Sequence, residues 1–174
     1  MTTMPTPVGP MTIIGDADGA VLAAGFTTDV GALLALVHPG LRTATEPQRR
    51  ADLGPASEAV RRYFDGDLTA LDGVPVRQHS DGVFLPAAWA ALREVKPGEP
   101  VTYTDLATRA GRPAAVRAAA QACARNAVML FVPCHRVVRA SGAPGGYRYG
   151  TDTKRWLLEH ESHKSDVRNV VPRR

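Results

Sequence analysis

The chain holds only two cysteines, Cys123 and Cys134, among its 174 residues. Two thiols eleven positions apart cannot supply a disulfide framework or a four-cysteine metal site, and they indicate a reducing compartment. The five histidines are also scattered, without the Cys/His clusters of a zinc site. We therefore expect no bound metal, and we interpret His38 and His79 as surface residues rather than ligands.

Long apolar runs are missing as well. No stretch approaches the ~18 residues of a membrane-spanning helix. The N-terminal segment, Met1–Pro5, lacks the basic-then-apolar pattern of a signal peptide. These absences exclude a membrane partner and predict a cytoplasmic protein.

Basic residues are scarce in the first half and abundant in the second. Residues 1–80 carry 6 Lys+Arg and 9 Asp+Glu, a net charge of −3, whereas residues 81–174 carry 15 and 8, a net charge of +7. A basic second half suggests a polyanionic partner. An ordinary solvated basic surface is the alternative.

The first half alternates segments typical of strands, turns and short helices. The Asp18-Gly19 pair predicts a hairpin turn, and Ser57 is the expected N-cap of a helix ending at Phe64. The remaining predicted elements are strands over 10–14 and 20–26 and a helix over 30–37. We find no chemical motif in residues 1–75, and we place a domain boundary where the charge changes, dividing residues 1–80 from 81–163.

The second half begins with helical patterns. A helix is predicted over 87–95, and Thr102 and Asp105 then form a capping-box pair at the start of another. Gly111 ends that helix, and Pro113 fits the first turn of a further helix that ends near Arg125. Two helices with a short connection resemble a DNA-binding helix-turn-helix, although many helical hairpins share this pattern.

The second of these helices is rich in alanine, so its backbone could approach a nucleic-acid groove closely. Arg117, Gln121 and Arg125 are spaced at i, i+4 and i+8 and share one face. An ordinary solvated face explains the same spacing.

A short buried strand is predicted over 127–132, and it leads to Pro133, Cys134 and His135. A thiol beside an imidazole is a candidate nucleophile, because the thiolate is the reactive form. A buried cysteine acting as a small hydrophobe is the alternative. A turn-rich loop follows over 141–150, then a helix over 153–161, and a basic tail over 164–174 that we expect to be disordered.

Taken together, the second half resembles the O6-alkylguanine-DNA alkyltransferases, or methylated-DNA–protein-cysteine methyltransferases. The likeness covers residues 84–161, and its centre is Pro133-Cys134-His135-Arg136-Val137 after a helix-turn-helix that ends in Arg125-Asn126. The first half is similar more weakly, through 6–10 and 63–68. The resemblance implies an α+β protein: a small N-terminal α/β domain of ribonuclease-H-like type, followed by a mostly helical domain with the helix-turn-helix and the reactive cysteine.

The implied activity is DNA repair by a single-use transferase that needs no cofactor. Cys134 would take a methyl or other alkyl group from O6-alkylguanine, and from O4-alkylthymine, after the damaged nucleotide has flipped out. His135 would accept the thiol proton through a water, and Glu161 would orient the imidazole. Glu159 and His160 are the neighbouring competitors for these two roles.

The resemblance also assigns residues that contact DNA and substrate. Tyr103 would contact the purine, Asn126 would brace the active-site turn, and Arg117 would fill the gap left in the base stack. The expected partner is double-stranded DNA held through its minor groove, bound by a monomer or a cooperative assembly near the nucleoid. The implied DNA-binding set also includes Thr102, Ala118, Gln121 and Arg125.

The substrate loop departs from the family pattern. Val137, Tyr147, Arg148 and Tyr149 are its expected lining, and the last two replace residues that are usually small. We expect Arg148 and Tyr149 to narrow the pocket entrance or to hold the loop nearer Cys134, so that methyl groups enter more readily than benzyl groups. Arg148 pointing outward to a phosphate is the alternative.

Three other functions fit parts of the pattern. A lesion-binding protein without transfer is disfavoured because such relatives replace the cysteine, which is present here as Cys134. A transcription regulator of this family would carry an additional metal-binding domain. A Cys-His hydrolase would need an oxyanion loop that the sequence does not show.

Overall fold

The N-terminal half is built around a three-stranded antiparallel sheet. The computed structural model describes residues 1–42 and 46–168, with the side chains of 163–168 left aside. Strand β1 (Thr2–Thr6) pairs with β2 (Gly9–Gly15), and β2 pairs with β3 (Val21–Gly25). The predicted hairpin between β2 and β3 is confirmed, whereas β1 was not predicted.

Two helices accompany this sheet. Helix α1 (Val30–Leu36) begins at Asp29, whose carboxylate accepts from the Ala32 N–H. Helix α2 (Pro55–Asp65) begins at Gly54, so the predicted N-cap at Ser57 is wrong. Ser57 lies buried in the first turn, and its hydroxyl accepts from the Leu53 N–H at 3.0 Å. Proline at the first helical position starts the helix three residues earlier than expected.

The C-terminal half is mostly helical, which confirms the α+β class. Its elements are α3 (Phe84–Arg93), β4 (Val101–Thr102), α4 (Tyr103–Arg109), α5 (Val116–Ala124), a 3₁₀ turn (Cys134–Arg136), β5 (Val137–Val138) and α6 (Thr151–Arg168). The short strands β4 and β5 pair in parallel and join the start of α4 to the segment after Cys134.

Helices α4 and α5 form the predicted pair joined by a turn. Thr102 and Asp105 make the expected capping box at the start of α4, and Gly111, with a φ of 82°, follows its end. The second helix begins at Val116 rather than at Pro113. Residues 112–115 form a turn instead, closed by the Ala115 N–H donating to the Arg112 carbonyl at 2.9 Å.

The predicted strand over 127–132 is wrong. The segment is buried, but it makes only one bridge to β3, between Val128 and Ala24. It then turns back on itself: the Val132 N–H donates to the Val128 carbonyl, and Leu130 adopts a φ of 75°. A continuous apolar run indicates that a segment is buried but does not indicate its conformation, because buried turns and buried strands are equally hydrophobic.

One continuous core joins both halves of the chain, from Met11 in β2 to Leu157 in α6. Helix α2 packs on α6 through a cluster of aromatic rings, Tyr63, Phe64, Trp156 and His160. The final helix is longer than expected and continues to Arg168, so residues 164–168 of the predicted disordered tail are helical. Residues 169–174 lie outside the described part of the chain.

Among residues 1–42 and 46–168, no helix has the length and apolarity needed to cross a membrane.

Replacing Thr102 with alanine should lower the free energy of unfolding by about 1 kcal/mol, because the cap of α4 loses the hydroxyl that accepts from the Asp105 N–H. Urea unfolding measures the change. Thr108→Ala is the matched control, since that exposed threonine lies inside α4 and bonds only the Thr104 carbonyl. Equal losses in the two variants would contradict the capping role.

Candidate active site

A cavity of about 370 Å³ opens between α5 and the loop that precedes α6. Tyr103, at the start of α4, lies on one side, and Cys134 lies at its base. Helix α5 forms one wall with small side chains, and the loop before α6 closes the remaining side. The full lining is Tyr103, Ala120, Cys123, Ala124, Met129, Cys134, Gly146, Tyr147 and Arg148.

Cys134 begins the 3₁₀ turn and is buried. Its Sγ lies 3.3 Å from the Sδ of Met129. Burial raises the pKa of the Cys134 thiol, and a hydrogen bond from Asn126 and the charge of Lys154 offset only part of that rise. The thiol is therefore protonated at neutral pH, so a nearby base is needed to make it a nucleophile.

Asn126 fixes the backbone that delivers this cysteine. Its Nδ2 donates to the Val132 carbonyl at 2.8 Å, and its Oδ1 accepts from the Val128 N–H at 3.0 Å. The same Oδ1 accepts from Gln78 at 3.0 Å. The side chain is wholly buried, and these bonds hold both ends of the 126–132 turn in place, as the sequence resemblance implied.

Glu161 lies behind the cysteine, at the centre of a buried hydrogen-bond network. Its Oε1 accepts from the Tyr63 hydroxyl and from His135 Nε2, each at 2.8 Å. The Arg136 guanidinium donates to both carboxylate oxygens at 2.9 to 3.2 Å and to the Val95 carbonyl. The structure thus brings the predicted pair His135 and Glu161 together.

The charges in this network fix the proton of the imidazole. Burial raises the pKa of Glu161, but the adjoining His135 and Arg136 outweigh it and hold that pKa well below its usual range. Burial lowers the pKa of His135 despite the attraction of Glu161. An ionised carboxylate can only accept, so Nε2 of the neutral ring carries the hydrogen and Nδ1 keeps its lone pair. Within the described residues, Nδ1 has no hydrogen-bond partner.

The competing residues lie elsewhere. His160 Nε2 donates to the Tyr63 carbonyl at 3.0 Å, and its ring stacks on Trp156 with 4.9 Å between centroids. Glu159 is exposed on α6. His160 therefore stabilises the contact between α2 and α6.

Three of the six side chains predicted to contact DNA are exposed along α5 and just beyond it. Arg117 and Gln121 lie on the open side of the helix, and Arg125 is its C-cap. Ala118 is half-buried. The Thr102 hydroxyl bonds the Asp105 carboxylate in the capping box of α4. Ala120 and Ala124 line the cavity, so the open side of α5 continues into it.

The loop residues differ from expectation at one position. Tyr147 and Arg148 line the cavity, and Val137 is buried in β5 behind it. Arg148 donates to the Ala124 carbonyl at the end of α5. Tyr149 is not part of the cavity lining, so the predicted narrowing of the pocket by its side chain is wrong, whereas the alternative, that it holds the loop nearer Cys134, stays a prediction. Its ring is turned towards Phe26 with 5.8 Å between centroids, because Gly25 leaves space for it there.

Sequence reasoning missed three residues of this site. Tyr63 lies 98 positions from its partner Glu161, and nothing local marks it. Arg136, inside the cysteine motif, is buried and bidentate on Glu161. Lys154 is buried on α6 and donates to the Val137 carbonyl at 2.6 Å and the Gly146 carbonyl at 3.4 Å. The sequence signal for Lys154 was a lysine among the inward-facing positions of α6, where a charged side chain needs hydrogen-bond partners.

His38, His79 and Asp81 are the one group of potential metal ligands in the described ranges, with ligand atoms within 4.8 Å of one another. The Gly40 N–H donates to His38 Nδ1 at 3.1 Å, so the ring hydrogen of the neutral form sits on Nε2, which faces Asp81 at 3.3 Å. A metal on Nε2 would require that hydrogen to leave and the Gly40 bond to break. Hydrogen bonding accounts for this cluster better than metal binding.

Known proteins are similar to this chain in sequence. Residues 84–163 match the family model described as 6-O-methylguanine DNA methyltransferase, DNA binding domain. A methylated-DNA–protein-cysteine methyltransferase from Mycobacterium bovis is 36% identical over 163 residues, which is 94% of this chain and 92% of the relative. One from Shigella flexneri is 32% identical over 165 residues, 91% of this chain and 92% of its own. The chain belongs to the methylated-DNA–protein-cysteine methyltransferases.

A solved structure extends the likeness to three dimensions. Mycobacterium tuberculosis OGT in complex with DNA is 29% identical and matches with a TM-score of 0.74, covering 94% of this chain and 92% of that one. The match includes the N-terminal sheet as well as the helices around the cavity. Both halves of this methyltransferase therefore belong to the architecture of the family.

Lowering the pH should destabilise this methyltransferase through His135. Because its pKa is lowered in the folded state, the unfolded chain takes up a proton below about pH 6.5 that the folded chain does not, so stability falls as the pH falls. Glu161, also with a lowered pKa, adds to the loss below about pH 4.3, where the unfolded carboxylate is protonated.

Urea unfolding from about pH 7.5 to about pH 5.5 spans the titration of an unfolded histidine and measures this effect. The wild type should lose stability over that range, and His135→Gln should show a flatter dependence. Gln48→Ala, which changes an exposed position and removes no ionisable group, is the control and should keep the wild-type slope. A wild-type slope in His135→Gln would contradict this assignment.

Proposed function

We propose that Cys134 accepts the alkyl group from O6-alkylguanine in DNA and keeps it, so that each molecule repairs one lesion. The observation that carries this proposal is the position of Cys134 at the base of a cavity that opens onto the exposed side of α5. A helix that can lie on DNA and a thiol that can react with a flipped base therefore share one opening. O4-alkylthymine has an equivalent alkyl ether and is a second substrate.

The transfer is an in-line displacement at the alkyl carbon. Sγ of Cys134 forms the new bond to carbon, and the bond from that carbon to O6 breaks with its electron pair leaving on guanine. The thiol proton passes through a water to Nδ1 of His135. Tyr103, which lines the cavity, donates a proton to the departing guanine, and recovers one from solvent. The products are a thioether and intact guanine, and no cofactor takes part.

Glu161 and Arg136 prepare the imidazole for this proton. The carboxylate holds the Nε2 hydrogen at 2.8 Å, so Nδ1 presents a lone pair. When His135 becomes positively charged, Glu161 stabilises it, and Arg136 balances the carboxylate before the proton arrives. Base catalysis of this kind contributes about 10²- to 10⁴-fold in rate.

We further propose that α5 lies in the minor groove. Its exposed positions near the cavity are alanines, which allow close approach, and Arg117 projects from the same helix. Flipping a base costs a few kcal/mol, and a guanidinium inserted in the stack recovers part of it. Arg125, Gln121, Ala118 and Thr102 complete the contact surface, with the positive second half attracting the phosphates.

We also retain the predicted division near residue 80 and assign the N-terminal part to the ribonuclease-H-like type. The three-stranded antiparallel sheet with α2 supports that assignment, and the segment 77–83 without helix or strand supports the boundary. The protein would act as a monomer in the cytoplasm near the nucleoid, and cooperative assembly on DNA is the alternative.

Cys134→Ser should abolish alkyl transfer and leave DNA affinity within about twofold, because a serine hydroxyl is far less nucleophilic at neutral pH. Transfer of label from methylated oligonucleotide to protein measures the first quantity. Cys123→Ser, which alters the other thiol of the cavity, is the matched control and should retain transfer. Label on Cys134→Ser would move the acceptor to Cys123.

Arg117→Ala should slow repair of duplex DNA at least about tenfold while leaving the reaction with free O6-methylguanine nearly unchanged, since only duplex repair requires the base to flip. Single-turnover rates on the two substrates measure this. Arg49→Ala removes the same charge from an exposed position in the N-terminal half and serves as the control. Equal slowing on both substrates would contradict the stack-filling role.

A further inference from the structure

We propose that Tyr149 is a positioning residue that anchors the substrate loop to β3, with Gly25 as the position that receives it. The N-terminal sheet would then help to hold the wall of the alkyl pocket at its working distance from Cys134. This inference rests on the proposed function, because the wall matters only if the cavity receives the alkylated base.

The side chain of Tyr149 occupies the space where a larger residue 25 would lie. A Cβ atom placed on Gly25 would be 1.9 Å from the Tyr149 hydroxyl oxygen and 2.5 Å from Cζ of the ring. Atoms cannot approach so closely. Gly25 does not have a left-handed φ, so its backbone conformation would accept other residues. Glycine is required here by the tyrosine rather than by the backbone.

The ring is held on two sides. Phe26, the next residue after β3, meets it edge to face at 5.8 Å and 89°. Tyr147 meets it from within the loop, with 6.2 Å between ring centroids. Tyrosine has only two side-chain torsions, so holding its ring against Gly25 and Phe26 also restricts the backbone of the loop.

The anchored residue adjoins the pocket directly. Tyr147 and Arg148 line the cavity, and Arg148 bonds the Ala124 carbonyl at the end of α5. On the other side, the Tyr149 carbonyl accepts from the Thr153 hydroxyl at 2.9 Å, and Lys154 binds the Gly146 carbonyl at 3.4 Å. These contacts join the loop to α5 and α6, while the Tyr149 side chain joins it to the N-terminal sheet.

Gly25→Ala tests the anchor by filling the receiving position. Displacing the ring should shift the loop and slow transfer from methylated duplex DNA about tenfold, since small misplacements of substrate-positioning groups cost this much or more. DNA affinity should stay within about twofold, because α5 is unchanged. Tyr149→Ala should slow transfer to the same extent, and Tyr149→Phe should remain near wild type because the ring is kept.

The decisive variant is Gly25→Ala combined with Tyr149→Ala. With the ring gone, the remaining one of the three nearest atoms to the added methyl is Leu33 Cδ2 at 3.0 Å, the end of a flexible side chain that needs to shift by only a few tenths of an ångström. The double variant should therefore react as Tyr149→Ala alone does, which is the non-additivity expected of two residues in contact. Gly15→Ala in β2, where the nearest atom would be 3.5 Å away, is the matched control and should transfer at the wild-type rate.

A wild-type transfer rate in Gly25→Ala, or fully additive losses in the double variant, would overturn the anchor while leaving the proposed function intact. If Gly25→Ala does not fold, the double variant must fold and react as Tyr149→Ala does, and its failure to do so would overturn the anchor too. Absence of transfer in the wild type would instead overturn the proposed function, and the inference with it.

Discussion

The buried carboxylate of Glu161 is the interaction on which the rest of this methyltransferase depends. A charge in the interior costs several kcal/mol unless it is well paired. Here it is satisfied from three sides: Tyr63 on α2, and His135 and Arg136 on the 3₁₀ turn. Removing any of these donors would leave a buried charge short of partners, so the network links the correct folding of both halves to the state of the His135 imidazole, which we propose as the base for Cys134.

Under the proposed function, the same network explains how the Cys134 thiol can be both inert in the free protein and reactive towards its substrate. Burial keeps Cys134 protonated, which protects it from indiscriminate chemistry. The neutral imidazole beside it offers Nδ1 as a base. Activation then requires a substrate placed in the cavity, where displacement of the alkyl group and loss of the thiol proton occur together. A protein that reacts only once would be lost to any side reaction of its thiol, so a thiol that stays protonated until substrate binds preserves it for repair.

Turns and helix caps were predictable from residue types, whereas the one long-range contact that was predicted came from the family resemblance. The Asp18-Gly19 hairpin, the capping box at Thr102 and the pairing of His135 with Glu161 were predicted from residue types and from family resemblance, and the structure has all three. The turn over 127–132 was mistaken for a strand because burial alone sets its composition. The Tyr149 ring was predicted to lie at the pocket. Nothing in the sequence around Tyr149 indicates that Gly25, 124 positions earlier, leaves space for the ring beside β3.

The central claim is that Glu161 fixes the proton of His135 on Nε2 and leaves Nδ1 as the base for Cys134. Two-bond ¹H–¹⁵N correlation spectra of the histidine ring, recorded at neutral pH on the unreacted protein, report this tautomer directly. The account predicts a neutral ring with a protonated Nε2 and a pyridine-like Nδ1, and loss of that preference in Glu161→Gln. A ring protonated on Nδ1, or on both nitrogens, would contradict it.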